Sequence, residues 1–370
     1  MKKNLLLYVV LALLLIISLL LLGCQSETPV KEPVQPEQSV QTTVQTIELG
    51  VNSMQGATHF VLTEQLPRYF KMVEKAAGGK YNLDITYYPV GTLVDADKSY
   101  DGVVQGIVDM TQACFSYTPG RFPVMWTLYK PGIAPPASCD AAAATIWEYY
   151  QTLKPKELED VKVVLLWAVG PGWVHTKNPI TKVSELQGLK IRSTGAFIDA
   201  VKMVGGEPIG MPMGDVYLAA QKGSIDAAIT PPEALETWKF CEIWKYSTFL
   251  PTFYSHFQYL VMNLDKWNSL PKDLQDAFDS VAEEAVKEAG QIWTYFNQQG
   301  IDYAESQTGG HEFIYFSPEE EAKLLEAIKP VRDNYIDELN AQGLPGEEIV
   351  NLANEIMSKN NEKTYEEWKP

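Results

Sequence analysis

The chain has 370 residues, 47 acidic against 30 basic side chains, and a formal net charge of −17. Such an acidic body repels nucleic acid and acidic lipid headgroups, and no basic stripe with interleaved aromatics offsets it, which argues against a nucleic-acid partner. Four cysteines without a CxxC pair, and no His/Cys cluster, argue against a structural zinc site.

Lys2 and Lys3 open the chain, Leu5 to Leu22 is an apolar run with Ser18 its one small polar residue, and Leu21-Leu22-Gly23-Cys24 closes the run. A basic start, an apolar centre and small residues at the exit predict a secretory signal over residues 1–23. The alternative is an uncleaved anchor helix, since about 18 apolar residues approach the lower limit for spanning a bilayer. Either way, the residues after Cys24 are expected outside the cytoplasm. The exit resembles the bacterial lipobox, which implies a lipid on Cys24 and a chain tethered to the outer face of the cell membrane. Residues 24–46 carry Pro29, Pro33 and Pro36 among Gln, Glu, Ser and Thr, and are expected to be a disordered linker.

The roughly 320 residues that follow can bury a large core and suggest two domains. Alternation predicts strands over 46–51 and 81–88, and helical spacing predicts helices over 58–77 and 96–105. Gly78-Gly79 is a stop signal for the first helix, and a third strand is expected over 107–113. Strand-helix alternation of this kind points to a parallel sheet with covering helices. A second such unit follows: strands over 161–169, 189–192 and 224–229, helices over 196–204 and 215–222. The apolar run 257–262 should cross back to the first unit. A long helix is expected over 270–306, opened by Pro271, then helices over 318–342 and 345–360.

Catalytic constellations are scarce. The four histidines, His59, His175, His256 and His311, are scattered, and HExxH, GxSxG, P-loop and GxGxxG motifs are absent. Asp95-x-Asp97-x-Ser99-x-Asp101 lacks the glycine and closing glutamate of a calcium loop and reads as a helix-capping cluster. With Cys24 lipidated, Cys114, Cys139 and Cys241 are an odd number of thiols, so at least one is unpaired. Binding is therefore expected over catalysis, with no metal and no cofactor.

Three segments are more informative: Ser184-Glu-Leu-Gln-Gly-Leu-Lys-Ile-Arg192, then Gly205-Gly-Glu-Pro-Ile-Gly-Met-Pro-Met213-Gly-Asp-Val-Tyr217, then Gln221-Lys-Gly-Ser-Ile-Asp226-Ala-Ala-Ile-Thr230. Together with Tyr88-Pro89, Tyr100 to Asp109, Pro119-Gly-Arg-Phe-Pro123 and Val261-Met-Asn263, they resemble the solute-binding proteins of tripartite ATP-independent periplasmic (TRAP) transporters, over about residues 47–360. The resemblance implies an α/β, two-lobe, periplasmic-binding-protein-like fold with a long hinge helix and C-terminal helices. The first lobe would be 47–169 with about 258–300, and the second 170–257 with about 310–360. It also implies an organic-acid ligand, TRAP membrane subunits as partners, and no enzymatic step.

By the same resemblance Arg192 binds the ligand carboxylate, as a guanidinium offers two parallel donors to two carboxylate oxygens. Without the family context it reads as a surface arginine at a strand end. Thr230 and Met213 fall where the family places a polar and an apolar contact. Tyr117 and Cys114 lie on a loop facing the cleft, Gly91 and Thr92 offer backbone N–H groups, and His59 is a donor at a helix start. The second arginine of sialic-acid binders is absent, its neighbourhood being Pro171-Gly-Trp173-Val-His175. Trp173 is expected to stack on a flat ligand and His175 to bond a hydroxyl or second acid group, with Trp126 or Phe253 adding aromatic lining. The expected ligand is a monocarboxylate with an apolar or aromatic body. The competing readings are an extracytoplasmic enzyme acting on a carboxylate, with His175 and Glu233 as its candidate groups, and a ligand-sensing lipoprotein.

Overall fold

Period-two burial of Leu49 and Val51 makes Gln45–Ser53 a half-buried strand, β1. In this computed structural model, which describes residues 44–133, 135–363 and 365, β1 pairs in parallel with β2 (Tyr81–Tyr88) and β3 (Met110–Cys114). Gln45 and Thr46, expected to end the linker, already pair with Tyr81 and Asn82. The expected signal segment, Cys24 and the rest of the linker lie outside the described residues. No helix among the described residues is long and apolar enough to cross a membrane. Between β1 and β2 runs α1 (Leu66–Ala76), whose Leu66, Tyr69, Phe70 and Val73 form one buried stripe. Before β3 comes α2 (Ser99–Val104), and after it α3 (Cys139–Leu153), capped by Ser138 accepting the Ala141 N–H.

The strand β4 (Val161–Pro171) is buried along nearly its whole length, and one residue later β5 (Trp173–Thr176) belongs to a different sheet. The residue between them is Gly172, where an added Cβ would sit 2.3 Å from the Tyr254 Cβ. Only glycine lets the outgoing and returning segments pass this closely. The second sheet continues with β6 (Lys190–Ser193), α4 (Ile198–Met203), β7 (Glu207–Gly210), α5 (Met213–Gln221), β8 (Ala227–Thr230), α6 (Ala234–Thr237) and β9 (Tyr246–Phe249). The chain then returns as β10 (Ser255–Asn263), followed by α7 (Leu264–Ser269), α8 (Lys272–Ser280) and α9 (Ala282–Ser306). It ends with β11 (Glu312–Tyr315), α10 (Pro318–Ala341) and α11 (Gly346–Asn361). Strand orders are β2-β1-β3-β10-β4 and β11-β9-β5-β8-β6-β7.

Three expectations need correction. The sheets are mixed rather than parallel: β10 is antiparallel to β3 and β4, and β5 to β8 and β9. These are the strands through which the chain changes sheets, so they enter from the opposite end. The single helix expected over 270–306 is two, α8 and α9, meeting at Val281. Val281 is itself buried, so the apolar period runs through the break and conceals it. Finally, α11, assigned by sequence to the second lobe, packs on α3 beneath the first sheet. There the Asn360 Nδ2 donates to Thr145 Oγ1 at 3.1 Å and Lys359 pairs with Glu148. The alanine-rich face of α3 offers a flat surface for the apolar stripe Val350, Ala353 and Met357.

Candidate functional site

Side chains following β1 and β3 in the first sheet, and those at the ends of β6 and β8 in the second, line one cavity. The carboxyl ends of parallel strands are where α/β sheets receive ligands. Arg192 sits on β6 between Ile209 of β7 and Ala228 of β8, and is only 3 % exposed. Its Nε and Nη2 donate to the Met211 carbonyl at 3.2 and 3.0 Å, which fixes the guanidinium plane. Nη2 also donates to the Tyr117 hydroxyl at 3.4 Å. No partner reaches Nη1 among the described residues. A buried cation with donors to spare is costly unless an anion joins it.

Tyr117 follows β3 in a tight turn, and its hydroxyl also accepts the Met213 N–H at 3.1 Å. Burial pushes its phenol up to about 12, so it keeps its proton and has an O–H to donate. His256, at the start of β10, faces Ser116 through Nε2 at 3.1 Å, and its buried Nδ1 has no partner among the described residues. Burial, and then the Arg192 charge, push this imidazole down to about 3, so it is neutral at ordinary pH. Tyr254 stacks on His256 and on Phe197, with ring centroids 5.6 and 4.7 Å apart. Behind them Ser53 donates to Gln112, and Gln112 donates to Gln258 at 2.8 Å, which holds the floor of the cavity rigid. Trp238 and Trp293 supply flat apolar surface, and Glu233 a buried carboxylate.

Of the residues expected from sequence, the structure brings Arg192, Tyr117, Met213 and Thr230 to this cavity. It does not bring Trp173 and His175. Both lie on β5, two residues apart and therefore on one face of the strand. Trp173 packs on Phe249, Phe313 and Tyr315. His175 is fully buried near Phe240 and Trp244, with Nδ1 2.7 Å from Ser247 Oγ. Gly91 borders a separate cavity, which Tyr117 also lines, and His59 lies behind Glu233 with its Nε2 3.5 Å from Glu233 Oε2. Cys114 is buried beneath Tyr117, and Trp126 donates to the Phe115 carbonyl as part of the core. The aromatic expected at Phe253 is supplied by its neighbour Tyr254. Sequence reasoning missed Tyr254, His256 and Gln258. The signals near them were the aromatic expected at Phe253 and the apolar run at 257–262.

The description of bacterial extracellular solute-binding protein family 7 (DctP) matches residues 53–338. The 2,3-diketo-L-gulonate-binding periplasmic protein YiaO of Escherichia coli is 30% identical over 220 residues, covering 56% of this chain and 63% of that protein. The chain thus matches less than two thirds of that relative's length. A TRAP solute-binding protein from a marine metagenome, specific for aromatic acid ligands and solved with 3-hydroxybenzoate, is 26% identical with a TM-score of 0.79. That match covers 85% of this chain and 99% of the other. A TRAP periplasmic solute-binding protein from Bordetella bronchiseptica, solved with (R)- and (S)-mandelate, is 25% identical with a TM-score of 0.76, over the same shares of each chain. These relatives are solute-binding proteins rather than enzymes. With the family description covering most of its length, this chain belongs to the bacterial extracellular solute-binding proteins of family 7, the TRAP type.

Proposed function

We propose that this protein captures an aromatic or similarly apolar monocarboxylate outside the cytoplasm and presents it to TRAP membrane subunits for import. The observation that carries the reading is Arg192: buried, oriented by Met211 and Tyr117, and with Nη1 unpartnered at the cavity wall. The carboxylate is held by Arg192 and by the Tyr117 O–H, and the ring lies among Tyr254, Trp238 and Trp293. The aromatic acids of the similar structures support that ligand class. The two sheets act as two lobes, and bending at the crossing strands closes them and excludes water, which strengthens the ion pair. A lipid on Cys24 and the proline-rich linker keep the binder near its membrane partners and raise its effective concentration there.

The test is a thermal-shift and calorimetric screen of organic acids on the full chain. Mandelate, 3-hydroxybenzoate or a 2-oxoacid should stabilise it. Stabilisation by succinate or malate alone would reject the ligand class. Arg192→Ala should weaken binding by about 2–5 kcal/mol with the fold intact. Unchanged affinity would remove Arg192 from the site. For the tether, a Cys24→Ser form should be released from cells.

A further inference from the structure

The cavity that holds Arg192 also holds a carboxylate, which is unexpected in a site for anions. Glu233 follows β8 and is 3 % exposed. Its Oε2 accepts from the Thr237 hydroxyl and lies 3.5 Å from His59 Nε2. His59 Nδ1 accepts the Val61 N–H at 3.2 Å, which places the ring proton on Nε2, facing the acid. The imidazole is stacked on Phe60 with centroids 4.4 Å apart and tilted against Trp293 at 6.0 Å. The Glu233 backbone N–H donates to Asn297 Oδ1 of α9 at 3.2 Å. Nearby Gly300 lets α9 press against this turn, where an added Cβ would meet the Glu233 Cα at 2.7 Å. The residue is therefore fixed at its backbone by Asn297 and at its carboxylate by Thr237, with His59 alongside. No hydrogen bond reaches its Oε1 among the described residues, and its side chain borders the cavity. An acceptor with an unfilled oxygen in a desolvated site is costly until a donor arrives.

Building on the function proposed above, we propose that Glu233 is a specificity residue: its Oε1 accepts a hydrogen bond from a hydroxyl or ammonium group on the same acid that Arg192 holds by its carboxylate. The two charges orient the ligand, carboxylate toward Arg192 and donor toward Glu233. The same negative charge rejects a second carboxylate, so dicarboxylates are excluded by repulsion rather than by size.

The test uses four ligands that differ at one substituent: phenylacetate with hydrogen, mandelate with hydroxyl, phenylglycine with ammonium, and phenylmalonate with carboxylate. The pair 3-hydroxybenzoate and benzoate is run beside them. Calorimetry on the full chain should find the hydroxyl or ammonium form binding about tenfold or more above its parent, since a hydrogen bond to a charged group carries that much discrimination. Which of the two wins identifies the donor. Phenylmalonate should bind more weakly than phenylacetate. In Glu233→Gln, close in size and still able to bond Thr237, the preference should shrink at least fivefold and phenylmalonate should gain. Equal binding of donor-bearing and parent acids by the wild type would overturn the inference while leaving the acid-binding reading intact, and so would a preference unchanged in Glu233→Gln. If the variant fails to fold, the wild-type ratio alone decides. If the folded wild type binds none of these acids, the reading and the inference fall together.

Discussion

The two sheets are built to different standards. The first has strands such as β4 and β10, buried almost from end to end, and one continuous core runs from it through α1, α3, α9 and α11 and on to Val174, Ile191 and Ile229 of the second sheet. In the second, β5 to β9 have four residues each, β7 is largely exposed, and a small separate cluster around Phe240, Trp244 and Val216 underlies α5 and α6. Yet Arg192, Thr230 and Glu233 come from this lighter sheet or the turn after it. Regions with few buried contacts open most easily. On the function proposed above, the first sheet supplies a platform while the second, with its shorter strands, carries the ligand's charge partners and moves.

The sharpest way to break that comparison is Trp244→Ala. Trp244 is fully buried in the small cluster, and its indole N–H donates to the Asp226 carbonyl at 3.1 Å. Its loss should cost about 3–5 kcal/mol. Hydrogen exchange should then accelerate across β5 to β9 while β3, β4 and β10 stay protected. Uniform acceleration would mean that the two sheets unfold as one unit.

Acid is a gentler lever. Burial, with His311 as the second cause, pushes His175 down to about 3, and His256 is pushed down similarly. Both are neutral in the folded protein, while the unfolded chain takes up protons below about pH 6.5. The unfolded state binds more protons there, so stability is full above that pH and falls as pH drops toward 3. Each histidine should cost about 2 kcal/mol between pH 7 and pH 5. Urea unfolding of His175→Gln should show a flatter acid profile than the wild type. An unchanged profile would show that His175 is protonated in the native state.

The smallest effect sharpens the division of labour at the cavity. Tyr117→Phe removes the acceptor shared by Arg192 and the Met213 N–H, at a stability cost of about 1 kcal/mol. On the function proposed above the hydroxyl also serves the ligand, so affinity for a carboxylate should fall about fivefold, and a dissociation constant that does not move would confine Tyr117 to a structural role.

Much of the first sheet was legible in the sequence because β1, α1 and β2 carry complete periods between clear stop signals. In the second sheet, four-residue strands such as β7, β9 and β11 are too short to show a period against turns rich in Gly and Pro. The helix α3 was missed because its alanine-rich run buries most of its face without large apolar residues to mark the spacing. At the site, Arg192, Met213 and Thr230 were legible through an ordered series of segments. Trp173 and His175 misled because a position in the neighbourhood of the family's second arginine says nothing about which face of a strand a side chain takes. Tyr254 and His256 were hidden because they reach the cavity through the chain's return crossing: Tyr254 meets Gly172 by tertiary packing alone, more than 80 residues away in sequence.

The return of β10 between β3 and β4 also dictates how the chain must fold. The middle of the first sheet is supplied by residues 255–263, so β4 has no strand neighbour until that segment has been made and has travelled back. A chain shortened before Ser255 would hold four strands of the first sheet with a gap between β3 and β4. Nucleation by local hairpins is unavailable, the pairings being distant in sequence, and such topologies fold slowly. The first sheet thus stays incomplete until residues 255–263 are present, and its middle closes late.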